Sequence, residues 1–396
     1  MRMPKISFRN FLKEKVVIFD EVGSRIIKKA VLNDIPCAII HSRKEIIHIT
    51  LPLLFLMLKN AIRVLTRPRS VKLTGVARST LLGYIYKIYL LSCIDYIKPK
   101  VVLTFIDNSP VYFWISRMYN NCEFYAIQNG IRTDAKRLHY EKPNDSGERS
   151  VNYSAGVMSM PHLFCFGKYE IDLYKKHAQN IDKFYPVGSL MGGYYKTCLA
   201  RNSTKIDFDI CLVSDQILSF PEGHILSGFE LGVGYLHKLI HKYAAEEHLS
   251  CCIAMRASNK HDQEIEKEYF INIFGNRATI IGRNETDMFT TYAAMDRSSV
   301  IVALNSTAVF EAFGWGKKAL FCNLSGDDFN QLPLPEICTM NVNDYGIFKS
   351  KLDYLRRLDE NEYRKITQSP ARYLMNYDFD NPAHAVIRKM VVEHLN

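Results

Sequence analysis

A group of polar residues follows the apolar segment Val300–Ala303 and has the composition of a phosphate site. Asn305, Ser306 and Thr307 come directly after this predicted strand and begin a predicted helix. The first amides of a helix have no partner inside it and lie at the positive end of its dipole, so they attract anions. Glu311 follows one helical turn later, where a carboxylate can accept both hydroxyls of a ribose. The alternative is a capped helix with a glutamate at the surface.

Asp107 is the candidate for a catalytic carboxylate. It ends the apolar segment Val101–Ile106, and Pro110 begins the predicted helix that follows. A carboxylate at the end of a strand can take the proton of an attacking hydroxyl or act as the nucleophile itself. The alternative is that Asp107 caps the helix together with Asn108 and Ser109.

Other polar residues lie beside Asp107 in this arrangement. Gln128, Asn129 and Arg132 end the next predicted strand, Cys122–Ile127, and we expect them, with Asn108, to bind the attacking substrate or to close on the phosphate-bearing one. A tight Asn-Gly turn is the alternative for this segment.

Three further candidate groups lie elsewhere. Ser214, Asp215 and Gln216 end the first predicted strand of the second half, near the expected phosphate, and Arg256 ends the next strand, where its guanidinium can pair with that anion. An exposed arginine is the alternative for Arg256. His139 is a second candidate acid or base, although a histidine in a loop is more often simply solvated.

No carboxylate pair flanked by apolar residues is present, so we expect no obligatory metal and no cofactor.

The elements that must position these residues alternate between strand and helix. Lys15–Asp20, a glycine-containing turn, a helix and the strand Ile35–Ile40 give the order of a parallel α/β sheet, and the pattern recurs in both halves. The polar stretch Leu199–Asp207 separates the halves. We predict an α/β fold of two Rossmann-like domains that face a cleft, 1–198 and 206–375, and a C-terminal helix within 376–396 that packs back on the first domain.

Charge and cysteine content restrict the class of protein. The ten cysteines are scattered without a CxxC pair, which argues against a zinc site and favours a reducing compartment, so we expect a cytoplasmic protein. Residues 1–100 contain nineteen Lys and Arg against six Asp and Glu, so the net charge of +10 belongs to the first domain. Basic and aromatic residues do not interleave as they do in RNA-binding sheets, and we expect no nucleic acid partner.

The most apolar stretch, Leu51–Leu58, allows two interpretations. It is far too short to span a bilayer and runs into cations that continue to Lys72. An apolar helix beside clustered cations can lie on an anionic membrane surface, here the inner face of the cytoplasmic membrane. The alternative is a buried core helix with a solvated basic end.

Several segments together resemble the GT-B glycosyltransferases of bacterial surface polysaccharides. The similarity lies in the residues 104–109, 126–132, 164–167, 187–189 and 296–321. It is greatest to the surface carbohydrate biosynthesis proteins, which are relatives of bacterial Kdo transferases and of teichoic-acid-type polymerases.

This resemblance implies a nucleotide-sugar donor, held mainly by the C-terminal domain, and an acceptor held by the basic N-terminal domain. A CMP-linked acidic sugar such as Kdo is the donor that it suggests, and the acceptor would be a glycan or glycolipid of lipopolysaccharide, O-antigen or capsule. Three alternatives stay open: a teichoic-acid-type polyol-phosphate transferase, a sugar-nucleotide 2-epimerase, and a non-catalytic sugar-nucleotide-binding protein.

Overall fold

The chain forms two compact units. The computed structural model describes residues 5–43, 46–66, 81–133, 158–177, 179–200, 205–215, 227–284, 286–326 and 332–396. Unit 1 comprises the described residues up to Gly130, those from 158 to Met191, and Asp380–Asn396. Unit 2 comprises Gly192–Phe379 and a short segment that starts at Ile131. The change of unit after Met191 comes earlier in the chain than the polar stretch that we took as the linker.

Unit 1 is built on a parallel sheet. Its strands are β1 (Lys5–Ser7), β2 (Val16–Phe19), β3 (Cys37–Ile40), β4 (Ile46–His48), β5 (Val101–Thr104), β6 (Glu123–Ile127), β7 (Ser159–Cys165) and β8 (Asn180–Pro186). Six of them form one sheet in the order β3-β2-β5-β6-β7-β8, and β1 pairs with β4. Every residue of β2 and β5 is buried, because central parallel strands are covered on both faces.

Unit 2 is built in the same way. Its strands are β9 (Phe208–Val213), β10 (Cys251–Ala254), β11 (Ala278–Ile281), β12 (Ser298–Ala303), β13 (Lys318–Cys322) and β14 (Thr339–Met340). They form a second parallel sheet in the order β11-β10-β9-β12-β13-β14. In chain order, β10 and β11 therefore extend the sheet on one side of β9, and β12, β13 and β14 extend it on the other side.

The helices connect these strands. They are α1 (Ser24–Ile26, continued by the π-helix Ile27–Leu32), α2 (Leu51–Thr66), α3 (Leu81–Ile97), α4 (Pro110–Met118), α5 (Lys168–Lys176), α6 (Leu190–Tyr194, continued by the π-helix Tyr195–Leu199), α7 (Gly228–Glu246), α8 (Lys260–Phe274), α9 (Thr290–Asp296), α10 (Thr307–Gly314), α11 (Tyr345–Arg357), α12 (Glu360–Leu374) and α13 (Ala383–Leu395). A 3₁₀ turn, Glu336–Cys338, precedes β14.

Polar caps determine where several of these helices begin. The Ser227 hydroxyl accepts from the amide of Glu230 at 3.3 Å, and the Glu230 carboxylate accepts from the amide of Ser227, which is a capping box at the start of α7. Asn259 and Asp344 cap α8 and α11 in the same position through their side-chain oxygens. These residues satisfy amides that the helix itself cannot.

The last helix, α13, is part of unit 1 although the preceding residues are in unit 2. The Arg388 guanidinium donates to the carbonyls of Val31 and Leu32 at 3.0 and 2.7 Å, and it pairs with Asp34 at 2.6 Å. The guanidinium lowers the pKa of the Asp34 carboxyl. Arg388 thus ties α13 to the carbonyls at the end of the π-helical turn, which need partners.

The helix α2 has two different apolar faces. Leu53 is buried, whereas Leu51, Phe55 and Leu58 are among the most exposed large apolar side chains of the described residues. The interpretation of this stretch as a buried core helix is therefore wrong for its outer side. Within the described part of the chain, no helix has the length and apolar character needed to cross a membrane.

The predicted fold class is confirmed: the protein is an α/β protein with two parallel sheets. The predicted strands lie within a few residues of the observed ones: Cys122–Ile127 is observed as Glu123–Ile127, and Val300–Ala303 as Ser298–Ala303. The helices α3, α6, α8, α11 and α12 were not predicted. α8 and α12 carry charged residues through most of their length, which weakens the apolar period.

Burial of His237 makes the stability of unit 2 dependent on pH. His237 lies on α7 with Nδ1 3.1 Å from the Tyr269 hydroxyl, and burial lowers its pKa from 6.5 to about 3. The unfolded chain binds a proton below about pH 6.5 that the fold rejects, so the free energy of unfolding decreases as pH falls, by about 1.4 kcal/mol per pH unit for one group.

We expect His237→Gln to reduce this slope between about pH 6.5 and 5 in urea unfolding. His261→Gln, which removes an exposed histidine on α8, is the control and should keep the wild-type slope. Equal slopes for all three proteins would contradict the assignment.

Candidate functional site

The order of the strands in unit 2 creates a site at one edge of its sheet. The connections run in opposite directions from β9 and β12, which are neighbours, so the helices after them lie on opposite faces of the sheet. In open α/β sheets a ligand crevice forms at this switch point, outside the carboxyl ends of the strands. Ser214 and Asp215 directly follow β9, and Asn305 and Ser306 follow β12 after Leu304. The structure thus brings these predicted residues to one edge.

The first turn of α10 leaves polar groups available at that edge. Ser306 is the N-cap residue, but its side chain makes no cap hydrogen bond, while its carbonyl accepts from the amide of Val309 at 3.0 Å. The Thr307 hydroxyl accepts from the amide of Ile131 at 3.2 Å. A hydroxyl that accepts still has a proton to donate, so both hydroxyls and the first amides of the helix can donate to an anion.

Glu311 is buried on the same helix, only 3% exposed, so the alternative of a surface glutamate is wrong. It bonds to the hydroxyl of Tyr292, whose pKa is raised by burial first and by this carboxylate second. Gly192 lies against it: a Cβ atom there would sit 3.2 Å from Glu311 Cβ. A ligand hydroxyl would therefore reach Glu311 only by replacing or joining the tyrosine.

A buried glutamate fixes the neighbouring strand ends. Glu266 on α8 accepts from the Ser214 hydroxyl at 2.5 Å, from the amide of Arg256 at 3.2 Å and from the amide of Ala257 at 2.8 Å. It is fully buried. Because a buried carboxylate needs several donors to offset its desolvation, this set holds the residues after β9 and β10 in one conformation.

Cations flank this edge. The side chain of Arg256 is exposed, and its carbonyl accepts from Nη1 of Arg283 at 3.3 Å. Arg283 follows β11, the neighbour of β10. Two guanidinium groups at adjacent strand ends suit a phosphate-bearing ligand, and Arg283 was not predicted from the sequence.

Asp107 lies at the corresponding edge of unit 1. It is completely buried, and its Oδ1 atom accepts from the amide of Asn129 at 3.5 Å. The alternative role as a helix cap belongs instead to Ser109, whose hydroxyl accepts from the amide of Tyr112 at 3.3 Å. The carboxylate is thus free of the capping role, and β5 and β6, which precede Asp107 and Asn129, are adjacent strands.

Gln128 has a structural role that the sequence did not indicate. Its Nε2 donates to the Gly130 carbonyl and to Glu170, each at 2.9 Å, and its Oε1 accepts from the amide of Phe166 at 3.0 Å. Both ends of the amide are therefore engaged inside unit 1. The prediction that Gln128 contacts a substrate is corrected accordingly, because such a contact would break these bonds.

The remaining predicted residues are placed as follows. Asn108 is exposed, Asn129 and Arg132 are partly buried, and Asp215 is buried. His139 and Gln216 lie outside the described residues. Over the described ranges, no cluster of three His, Cys, Asp or Glu residues has the arrangement of a metal site.

The sequence analysis missed the buried acidic residues Asp20 and Glu266. Asp20, directly after β2, has a φ of 97° and accepts from the amide of Val22 at 2.9 Å and from Ser42 and Arg43. Glu266 shares one face of α8 with the buried Phe270 and Phe274, at spacings of four and eight. A carboxylate in register with two apolar side chains is a signal of burial that the sequence contained.

A comparison with protein families identifies one match. The model of a family described as "putative O-antigen biosynthesis protein" matches residues 125–390. This range contains all of unit 2 from Ile131 onward and the strands β7 and β8 of unit 1. No curated protein sequence matches the chain.

Solved structures show the fold. A UDP-GlcNAc 2-epimerase from Neisseria meningitidis, bound to UDP-GlcNAc, is 14% identical with a TM-score of 0.50 over 96% of this chain and 98% of that chain. The UDP-GlcNAc 2-epimerase of Methanocaldococcus jannaschii is 9% identical with a TM-score of 0.50 over 96% and 98%. A variant of the wall teichoic acid polymerase TagF is 11% identical with a TM-score of 0.53 over 97% and 90%. The chain therefore has the GT-B type of α/β fold that the sequence predicted.

The three hydrogen bonds of Glu266 predict a specific loss of stability. In Glu266→Gln an NH₂ group, which cannot accept a hydrogen bond, replaces one carboxylate oxygen. The side chain then loses either the bond from the Ala257 amide or the bonds from the Arg256 amide and the Ser214 hydroxyl. We expect the free energy of unfolding to fall by about 1–3 kcal/mol, measured by urea denaturation. Glu268→Gln, at an exposed position of the same helix, is the matched control and should change stability by less than about 0.5 kcal/mol.

Proposed function

Given that the chain belongs to the family described as putative O-antigen biosynthesis proteins, we propose that it is a glycosyltransferase. It would move a sugar from a nucleotide-sugar donor to a glycan or glycolipid acceptor of the cell surface. The observation that carries this proposal is the edge of unit 2 at the switch point of its sheet, where α10 begins with two hydroxyls and two arginines follow the adjacent strands.

The donor diphosphate or monophosphate is proposed to bind at the start of α10. Ser306, Thr307 and the first amides of α10 would hold its oxygens, and Arg256 and Arg283 would neutralise the charge that develops on the leaving phosphate. This set supplies the positive charge that a metal supplies elsewhere, so we propose transfer without an obligatory metal. Glu311 would bind the ribose through the position now taken by Tyr292.

Asp107 is proposed as the catalytic carboxylate, and Asn108, Asn129 and Arg132 as groups near the acceptor. Asp107 is buried after β5, and its Oδ1 atom accepts from the amide of Asn129 at 3.5 Å. A carboxylate at this position can take the proton of an acceptor hydroxyl. The acceptor would be O-antigen or another lipopolysaccharide glycan, with a CMP-linked sugar such as Kdo as the first donor to test, because the sequence resembles Kdo transferases.

The structural neighbours support two other reactions. The Neisseria meningitidis structure is a 2-epimerase bound to UDP-GlcNAc, and TagF is a teichoic acid polymerase. An epimerase converts its nucleotide sugar without an acceptor, whereas a transferase releases the nucleotide only when an acceptor is present. Product analysis with and without acceptor separates epimerisation from glycosyl transfer. CDP-linked polyols as donors test the polyol-phosphate transfer of a teichoic acid polymerase.

The first test is binding of nucleotides to the proposed donor site. CMP, CDP, UDP and GDP are compared by thermal unfolding, where a ligand at a hundred times its Kd raises stability by about 2.7 kcal/mol. Ser306→Ala should weaken binding of the stabilising nucleotide by about tenfold to a hundredfold, the worth of one hydrogen bond to a charged group. The fold should be unaffected because this hydroxyl caps nothing.

Ser227→Ala is the matched control. It removes a hydroxyl that does cap a helix, so it should lower the free energy of unfolding by about 1 kcal/mol and leave nucleotide affinity unchanged. If no nucleotide stabilises the wild-type protein, or if both variants bind equally well, the proposed donor site is wrong.

The second test concerns Asp107. We expect Asp107→Asn to lower transfer of labelled sugar to glycolipid from a strain lacking the gene by about 10²–10⁴-fold, with nucleotide binding retained. Asp182→Asn changes an exposed carboxylate of unit 1 that pairs with Arg117, and it should transfer at the wild-type rate. Unchanged transfer by the Asp107 variant would leave this residue with a structural role only.

A further inference from the structure

The outer side of α2 is an exposed apolar stripe. Its members are 49–82% exposed and lie at positions i, i+3, i+4, i+7, i+11 and i+14 of the helix, so they share a single face about 100° wide. We define the outer stripe as Leu51, Leu54, Phe55, Leu58, Ile62 and Leu65. Single exposed apolar residues are ordinary, but a contiguous face along a whole helix indicates a contact that the described residues of the chain do not make.

The opposite side of α2 is fixed to unit 1. Leu53 and Asn60 are buried, and the Asn60 amide donates to the Ser92 hydroxyl at 3.1 Å. Arg63 donates to the carbonyl of Met118 at 3.1 Å. Because the inner face already makes the contacts with the core, the helix cannot turn its outer stripe inward without breaking buried hydrogen bonds.

Unit 1 has further exposed apolar side chains. The amide of Ile49 donates to the carbonyl of Ser7 at 2.8 Å, which places the residue after Ser7 beside the start of α2. That residue is Phe8, which is 77% exposed. Leu81 and Leu82 are also exposed at the start of α3.

The charge of this region identifies the partner. Residues 46–94 contain seven Lys and Arg, of which Lys87 is buried, and no Asp or Glu. Lys59 is exposed at one border of the outer stripe, and Asp95, just beyond this segment, is largely buried 3.8 Å from it. If two copies paired through their outer stripes, the cations of both copies would come close together. This segment has no carboxylates to pair with them, so their repulsion opposes a dimer. A surface of anionic lipid headgroups over acyl chains complements both the cations and the apolar face.

We propose that the outer stripe binds an anionic lipid bilayer, with α2 parallel to the membrane plane and about 24 Å of helix in the headgroup layer. The stripe inserts its apolar side chains while the neighbouring cations contact lipid phosphates. This inference rests on the surface of unit 1 alone and is independent of the proposed reaction.

The experiment is co-sedimentation of the full chain with vesicles. Vesicles of phosphatidylcholine with phosphatidylglycerol are compared with vesicles of phosphatidylcholine alone, at low and at high salt. The test variant carries Leu54→Ser, Leu58→Ser and Ile62→Ser, all in exposed positions where the fold does not need the apolar side chain. The matched control carries Ile271→Ser, Ile347→Ser and Ile366→Ser, three exposed isoleucines of unit 2.

The wild-type chain and the control should sediment with phosphatidylglycerol vesicles and dissociate at high salt, and the test variant should lose at least about tenfold in partitioning. The test variant should unfold at a temperature close to that of the wild-type chain, which checks that its fold is intact. Equal partitioning of test variant and control would overturn the proposal. So would a wild-type dimer in light scattering that becomes monomeric in the test variant, since a second copy would then cover the stripe. Nucleotide binding of the test variant is measured in parallel and should be unchanged. A failure of the membrane proposal is thereby distinguished from a failure of the proposed donor site.

Discussion

Both units depend on a buried glutamate that accepts hydrogen bonds from the residues after neighbouring strands. In unit 2 Glu266 accepts from one hydroxyl and two amides, and in unit 1 Glu170 accepts from the side chain of Gln128 and from the amide of Gly167. Strand ends carry amides that the sheet no longer satisfies. A carboxylate held inside the protein can satisfy several of them together, and it is stable there only while it does so. The residues directly after β6, β7, β9 and β10 are therefore held in place by these carboxylates.

The strands and several helices follow from the sequence because their signal is local. Runs of apolar and β-branched residues such as Val300–Ala303 fit only a strand buried on both faces, and the glycine and polar residues after them mark the ends. Hydrogen-bond partners far apart in sequence give no such signal. The amide of Gln128 is engaged by Phe166 and Glu170, thirty-eight and forty-two residues later. Nothing in the local sequence distinguishes such an amide from one that contacts a substrate.

The same limit applies to α2. Its sequence is apolar on two sides, and periodicity alone describes such a helix as buried all round. The structure separates the sides through polar contacts: Asn60 and Arg63 bond to α3 and to the end of α4, so the face they share is the inner one. The outer face then remains apolar without a partner among the described residues of unit 1. A sequence shows how apolar a helix is, but the few polar residues decide which of its faces the protein itself covers.

The proposed donor site lies inside the range matched by the family model, whereas the outer stripe of α2 lies outside it. Residues 125–390 hold the strand ends and helix start proposed for the donor, and α2, the basic segment and Asp107 precede this range. Nucleotide sugars share a phosphate or diphosphate next to a pentose, so a single arrangement of amides, hydroxyls and guanidinium groups can serve many enzymes. Acceptors differ in structure, and those attached to lipid lie in a membrane. An enzyme that acts on such an acceptor needs a surface that brings it to the bilayer. The exposed apolar face of α2, in a segment that contains cations and no carboxylates, has the physical properties for that task.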